Sequence, residues 1–334
     1  MRVLGIESSC DDTAAAVLED GAVRSSIVAS QDAVHQPFGG VVPELASRSH
    51  MRNVIPVIET ALERAGVRLD DIDGICATCG PGLVGSLLVG LSTAKAIAFA
   101  RRLPFVGVNH LEGHLLSPRL AEDTPFPYLA LLVSGGHTSL YHAAALGTYR
   151  FLGGTRDDAA GEAFDKVAKV MGLGYPGGRV IDELARRGNP KAIRFARARL
   201  KPQRNGTPFG FSFSGLKTAV WQYVREHTID SDDARADVAA SFQEAVVDML
   251  LDTTLAAADA VQCPRLVIAG GVSANSRLRD RAQAVAADRG LAVSIPPLRY
   301  CTDNAAMIAL AGSYRLARGD SDPLSVNAAA DLEL

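Results

Sequence analysis

The apolar and polar positions of this 334-residue chain repeat a pattern. The stretch VLGIESSCDDTAAAVLEDG, from Val3, is an apolar run, a small-and-polar turn and a second alternating run; YLALLVSGGHTSLYHAAALG, from Tyr128, has the same layout. Such runs, broken by serine, glycine and aspartate, predict strand, turn and strand. A third strand is expected after each pair, over Ala22 to Ser30 and Tyr149 to Thr155, and helical periodicity follows. In the first half the spacing predicts a long amphipathic helix from Pro43 to Gly66, with proline near its start and glycine at its stop. IDGICATCG is then a strand, Val84 to Arg102 a helix and FVGVN a strand. In the second half, helices are expected over Gly161 to Gly172, Ala234 to Ala260 and Ser273 to Ala287, with RLVIAGG as a strand and a last helix after Asp303.

Two successive units of three hairpin-linked strands, each followed by alternating helices and strands, imply an α/β protein of two domains with mixed sheets. The expected domains are residues 1–123, completed by a C-terminal helix at about 304–334, and residues 124–303. The outward boundary falls in the loop from Glu122 to Pro127 and the return near Asp303. Ligand sites in such sheets lie at turns near strand ends, so the two polar turns are expected to face each other across a cleft. This duplicated pattern is that of the actin-like ATPase, Hsp70 and sugar-kinase (RNase H-like) superfamily. A fold of this kind limits the reaction without naming it.

Composition adds little until its distribution is considered. Hydrophobic residues make up 48% of the chain, enough for two cores, and no apolar run reaches the length expected of a membrane helix. The start, MRVLGIESSC, lacks a signal-peptide layout. A cytoplasmic protein with no membrane association is expected. The five cysteines (Cys10, Cys76, Cys79, Cys263 and Cys301) are odd in number and scattered, which argues against a disulfide framework. Cys76 and Cys79 lie three apart on an expected strand and so point to opposite faces, which does not suit one metal. Net charge is −3, yet Arg186, Arg187, Lys191, Arg194, Arg197, Arg199, Lys201 and Arg204 put +8 into one stretch without an acid, leaving −11 elsewhere. That stripe is either a solvated surface or a contact for a phosphate backbone.

Several motifs carry chemistry. In the first turn, SSCDD, Ser8, Ser9, Asp11 and Asp12 offer hydroxyls, backbone N–H groups and carboxylates, suited to phosphate oxygens, a cation or a water; an ordinary hairpin turn would look the same. In the second, Val133, Ser134, Gly135, Gly136 and His137, two glycines let a ligand approach the backbone. TCGPGLVGSLLVG, from Thr78, ends a strand and opens a helix whose first N–H groups suit an anion, or simply pack. VIAGGVSANSRLR, from Val267, is strand, double glycine and helix, with Ser273 a plausible N-cap and Asn275 available to a ribose or base. His110 and His114, in NHLEGHLL, lie at i and i+4 and share one helix face. Two surface histidines would show the same spacing. Asp303, in YCTDNAAM, is a potential third ligand, and two histidines with one carboxylate leave positions open for substrate, as in iron(II) or catalytic zinc sites. A zinc-protease motif would place glutamate directly after His110, where Leu111 stands. Glu112 falls roughly 200° around the helix from His110, which excludes that reading. Asp165, in GEAFDKVAKVMGLGYPGG, and Asp182, one turn beyond Gly178, are either ribose-binding carboxylates or helix-surface charges. FGFSFSGLK, from Phe209, is either a stacking platform beside the basic run or a buried strand.

Taken in order, GIESSCDDTAAAV, FGGVVPELASRSH, GPGLVGSLLVG, NHLEGH, LLVSGGHT, DDAAGEAFDKVAK, YPGG, FSFSGLKTA, GGVSAN and CTDNAAM span residues 3 to 307. This ordered set resembles the tRNA adenosine threonylcarbamoyltransferase family (TsaD/Kae/Gcp). The resemblance implies transfer of threonylcarbamoyl from threonylcarbamoyl-adenylate to the exocyclic amine of adenosine 37 in tRNAs reading codons that start with A, with release of AMP. It implies iron(II), or zinc, one per subunit, on His110, His114 and Asp303. It implies adenylate binding by Val133, Ser134, Gly135, Gly136, His137, Asp165, Gly178, Asp182 and Asn275. Asp11 and Asp12 are candidates for the base. Implied partners are tRNA, a paralogous non-catalytic subunit and a small ATPase. A sugar kinase of the same fold would leave the paired histidines without a role, and a nucleotide-binding scaffold would bind adenylate without transfer.

Overall fold

The computed structural model describes residues 1–197, 200 and 207–334. The chain divides into two compact units, Met1–Asp123 with Asp303–Leu334, and Thr124–Thr302. Asp303 belongs to the first.

The first unit holds β1 (Arg2–Glu7), β2 (Asp12–Glu19), β3 (Ala22–Ser30), β4 (Gly74–Gly80) and β5 (Phe105–Asn109), in the order β3-β2-β1-β4-β5. The hairpin strands β1, β2 and β3 pair antiparallel, and β1, β4 and β5 run parallel. Its helices are α1 (Asp32–His35), α2 (Pro43–Ala65), α3 (Val84–Arg101), α4 (His110–Leu116) and α10 (Ala305–Leu316). Strand β1 is buried from Val3 to Glu7, because both of its faces are covered. Leu4 and Ile6 pack with Val57 and Ile58 of α2 and Leu91 and Ala94 of α3. On the opposite face Gly5 lies against α10, where a Cβ would sit 2.5 Å from the Ala305 carbonyl oxygen. Helix α2 starts with Pro43 and stops at Gly66, whose φ of 68° is left-handed.

One expectation from the apolar runs needs correction. Helix α3 has 18 residues and a mean hydropathy of 1.3, which by length and composition is enough to cross a membrane. In the fold its Leu87, Gly90, Leu91, Ala94 and Ala98 are buried, and the helix packs on β4, β1 and α2.

The second unit repeats the topology. Strands β6 (Tyr128–Val133), β7 (Thr138–Ala145), β8 (Thr148–Thr155), β9 (Phe209–Phe211), β10 (Arg265–Ala269) and β11 (Ala292–Ser294) take the order β11-β10-β6-β7-β8-β9. This is the first sheet's order with β9 added at one edge. The helices are α5 (Ala160–Val170), α6 (Gly177–Ala185), α7 (Ser214–Glu226), α8 (Asp232–Val261) and α9 (Ser276–Arg289). Phe164, Phe211, Phe213 and Phe242 are buried in its core, so the alternating phenylalanines of FGFSF follow the buried-strand reading. A 3-10 turn at Gly271–Ala274 delays α9 to Ser276, which takes Ser273 out of the N-cap position expected of it. The described basic residues Arg186, Arg187, Lys191, Arg194 and Arg197 are exposed. Arg186 pairs with Asp182 and Arg197 with Asp248. Arg199, Lys201 and Arg204 lie outside the described residues.

Candidate metal centre and neighbouring motifs

Strand β5 ends at Asn109, whose Oδ1 accepts the Leu111 N–H at 2.9 Å and so caps α4. The cap starts the helix at His110, which puts His114 one turn on along the same face. Their ring centroids are 4.7 Å apart. Asp303 precedes α10, which is capped in the same way by Asn304 Oδ1 on the Met307 N–H at 3.0 Å. Between the histidines, Gly113 lets α4 approach α10, since a Cβ there would sit 2.9 Å from Ile308 Cδ1 and 3.1 Å from Met307 Cγ. The glycine of HLEGH is thus a packing requirement.

One ligand atom from each of His110, His114 and Asp303 lies within 4.8 Å of the others. Asp303 Oδ1 is 3.1 Å from His114 Nε2 and 3.4 Å from His110 Nε2. Two imidazole nitrogens and one carboxylate oxygen converging in this way fit a divalent transition metal. Burial alone would push the Asp303 carboxyl up, but the facing His110 and His114 imidazoles hold it well below the usual carboxylate range. Burial lowers His114. Burial also opposes the charge on His110, yet Asp303 and Glu7 together raise it well above an ordinary histidine.

Glu7 has no part in the sequence reading of the site. Its carboxylate is fully buried at the end of β1 and accepts from Ser9 N–H (2.5 Å), Thr78 Oγ1 (2.6 Å) and His110 Nδ1 (2.9 Å). Burial pushes it up, and His110 more than reverses the effect. An acid inside the apolar run VLGIESS was the available signal. His50 was also missed. Its Nε2 donates to the Cys10 carbonyl at 2.9 Å and its Nδ1 accepts from Thr13 Oγ1 at 2.8 Å, which steadies the first turn from α2.

Within the first turn, Ser8 is structural. Its Oγ donates to the Ser86 carbonyl (2.8 Å) and accepts from Gly90 N–H (3.1 Å). The Gly-Pro-Gly turn packs against it, with Leu83 N–H on the Ser9 carbonyl and Gly82 N–H on the Ala330 carbonyl. Asp11 and Asp12 differ from their neighbours. Burial, reinforced by the Asp303 charge, raises both, and Asp12 is pushed up to about 8. Asp12 Oδ1 is buried without a hydrogen-bond partner.

In the second unit the candidate adenylate residues form a connected series. Val133 ends β6, and Ser134 closes the turn by donating its N–H to the His137 carbonyl (2.8 Å) and taking the His137 N–H on Oγ at 3.1 Å. A Cβ on Gly135, Gly136 or Gly178 would meet nothing within 4 Å, so these glycines border open space. Asp165 Oδ1 accepts Gly177 N–H (2.7 Å) at the start of α6. Asp182, 7% exposed, accepts both the N–H (3.2 Å) and the Oγ (2.8 Å) of Ser276 at the start of α9. It is therefore not a helix-surface charge. Asn275 is the true N-cap of α9; its Oδ1 takes Leu278 N–H (3.0 Å) and its Nδ2 donates to Gln243 Oε1 (2.7 Å).

Comparison with known proteins supplies what geometry does not. Residues 22–310 match the family described as TsaD, tRNA N6-adenosine threonylcarbamoyltransferase. A protein of that name from Anaeromyxobacter dehalogenans (strain 2CP-1) is 57% identical over 330 residues, covering 98% of each chain. One from Moorella thermoacetica is 52% identical over 336 residues, covering 100% of this chain and 97% of its own. Among solved structures, full-length HypF in its phosphate- and nucleotide-bound form aligns with a TM-score of 0.63 at 12% identity, over 94% of this chain and 46% of that one. The activator of 2-hydroxyisocaproyl-CoA dehydratase from Clostridium difficile aligns with a TM-score of 0.54 at 14% identity, over 97% of this chain and 100% of that one. At such identities the likeness speaks for the duplicated actin-like fold alone.

Proposed function

This chain belongs to the tRNA N6-adenosine threonylcarbamoyltransferase family, and on that premise we propose that its donor is threonylcarbamoyl-adenylate and its acceptor the exocyclic amine of adenosine 37 in tRNAs reading codons that start with A. The amine nitrogen attacks the carbamoyl carbonyl carbon, the bond from that carbon to the phosphate oxygen breaks, and AMP leaves with the electron pair. The nitrogen gives up one proton. The mixed anhydride already has a good leaving group, so the chain's task is to position the reactants and stabilise charge on the carbonyl oxygen.

The observation that carries this reading is the convergence of His110, His114 and Asp303, supplied by two of the family's motifs, to within 4.8 Å. These three would hold iron(II), or zinc, one per subunit, which when bound supplies Lewis-acid polarisation of the carbonyl oxygen. Asn109 and Asn304 start the helices that hold the three side chains in register. Asp11 and Asp12, whose carboxyls burial raises, are the candidates to take the amine proton. For the adenylate, the open glycines Gly135, Gly136 and Gly178 offer backbone approach beside Val133, Ser134 and His137. Asp165, Asp182 and Asn275, which hold the starts of the neighbouring helices, are the polar groups for ribose or base.

The expected partners beyond tRNA are a paralogous non-catalytic subunit and a small ATPase, acting in the cytoplasm. A further subunit is supported by apolar side chains on α2 and α3 that the first unit leaves exposed: Met51 at 71%, Ile55 at 50%, Val84 at 45% and Leu88 at 41%. The test is mass spectrometry of nucleosides from unmodified tRNA incubated with this chain, threonylcarbamoyl-adenylate and the partner subunits. Threonylcarbamoyladenosine should appear only when the chain is present, and His110→Ala should lose both metal and turnover. No product from folded, metal-loaded protein with its partners would refute the reading. Full turnover by a metal-free His110→Ala would refute the role of the metal.

A further inference from the structure

We propose that Glu7 is a positioning residue that acts through His110: its buried carboxylate holds the imidazole as the Nδ1–H form and aims Nε2 at the cation. The inference rests on His110, His114 and Asp303 being a metal site. The carboxylate is inaccessible to solvent, and a buried carboxylate is tolerated only when its lone pairs are taken up. Oε1 takes the Ser9 N–H, and Oε2 takes the Thr78 hydroxyl and His110 Nδ1. Thr78 is brought there by register, since Ile6 of β1 pairs with Ala77 of β4.

The tautomer follows from what each neighbour is able to do. His110 Nδ1 has two polar neighbours, Glu7 Oε2 at 2.9 Å and Ser9 Oγ at 3.2 Å. A carboxylate only accepts, so the closer contact requires the proton on Nδ1, and Ser9 Oγ shares it as a second acceptor. That leaves Nε2, 3.4 Å from Asp303 Oδ1, as the nitrogen whose lone pair a bound cation would take in place of a proton. His114 has no such support, for its Nδ1 is buried without a hydrogen-bond partner. The two histidines are therefore unequal ligands. An imidazole backed by a carboxylate is fixed in orientation and is the stronger donor, so His110 is the anchoring ligand.

The experiment measures cobalt(II) binding by the full chain in competition with a chromophoric chelator, together with the visible spectrum of the bound cobalt. The variants are Glu7→Gln and Thr78→Val, with His110→Ala for comparison. Glu7→Gln keeps the shape but loses the charge, and should weaken cobalt binding roughly 10–100-fold and shift the cobalt bands. Thr78→Val removes a different partner of Glu7, so it should lower the melting temperature while affinity stays within about threefold. Glu7→Gln that is folded, binds cobalt within about threefold of the parent and gives the parent spectrum would overturn the inference. So would an equal loss of affinity in Thr78→Val, which would mark a general structural role. If Glu7→Gln does not fold, Glu7→Asp takes its place with the same expected ordering, because it withdraws the carboxylate from His110 by one methylene. A parent chain that binds no cobalt would instead bring down the metal-site reading itself.

Discussion

Replacing Gly5 by alanine adds one methyl group, and its effect should reach the candidate metal site. A Cβ built on Gly5 lies 2.5 Å from the Ala305 carbonyl oxygen, 2.8 Å from Ala309 Cβ and 2.9 Å from Ala309 N. Two of these three atoms are backbone of α10 and the third is its Cβ, so no side-chain rotation relieves the clash. Ordinary van der Waals separation demands that α10 retreat from β1 by ~1 Å. Overpacking of this kind costs about 1–3 kcal/mol, which in a unit of this size lowers the melting temperature by roughly 2–4 °C per kcal/mol. Ala305 is two residues after Asp303, so the retreat moves that ligand away from His110 and His114. Metal sites tolerate ligand shifts of only about 0.2 Å, and cobalt affinity should fall at least tenfold. Thermal melting and cobalt competition on Gly5→Ala test both parts. Gly40→Ala is the control, because a Cβ there meets nothing within 4 Å and the residue has no left-handed φ. A Gly5→Ala protein that melts and binds cobalt like Gly40→Ala would refute the packing argument. One that melts lower but binds normally would refute only the link to Asp303.

Three more outcomes are expected. Asn275→Ala removes the α9 N-cap and strands Gln243, and should destabilise the chain by about 1–2 kcal/mol in denaturant unfolding; a loss below the error of the fit would contradict the capping role. Asp12 is raised in the folded chain to about 8, so the native state binds a proton that the unfolded state has already lost above about 4. Its contribution makes stability fall as pH rises through that window, and Asp12→Asn should flatten the fall; parallel stability-against-pH curves would show that the carboxyl is not raised. Neutralising the exposed Arg187, Lys191 and Arg194 should weaken tRNA binding and reduce the salt slope by about 2–3. An unchanged slope would leave these side chains as solvated surface.

The strand–turn–strand repeat and most of the long helices were legible because period-2 and period-3.6 patterns are local, and proline, glycine and asparagine mark their ends. Helix α2 stops at Gly66 as read, and the His110/His114 pair shares a helix face because i and i+4 always do. The short elements were harder. Helices α6 and α7 follow the Gly-rich turn and the FSFSG stretch, where no long periodic segment announces them. The 3-10 turn before α9 moved the cap from Ser273 to Asn275, a choice made by how β10 closes against β6, where Gly270 lies against the Val133 carbonyl.

Local sequence alone determined the long elements, the two-domain repeat they imply, and the residue types suited to a metal or another polar ligand. Tertiary structure alone decided which of those residues meet. Asp303 is 189 positions from His114, and it arrives beside it only because α10 closes on Gly5 and α4 closes on α10 at Gly113. The support from Glu7, 103 positions from His110, was equally invisible, since the buried acid gains its partners only when β1, β4 and α4 come together. Pattern along a chain reports what each segment buries. Which buried polar groups satisfy one another depends on contacts between distant segments, and only the packed fold supplies those.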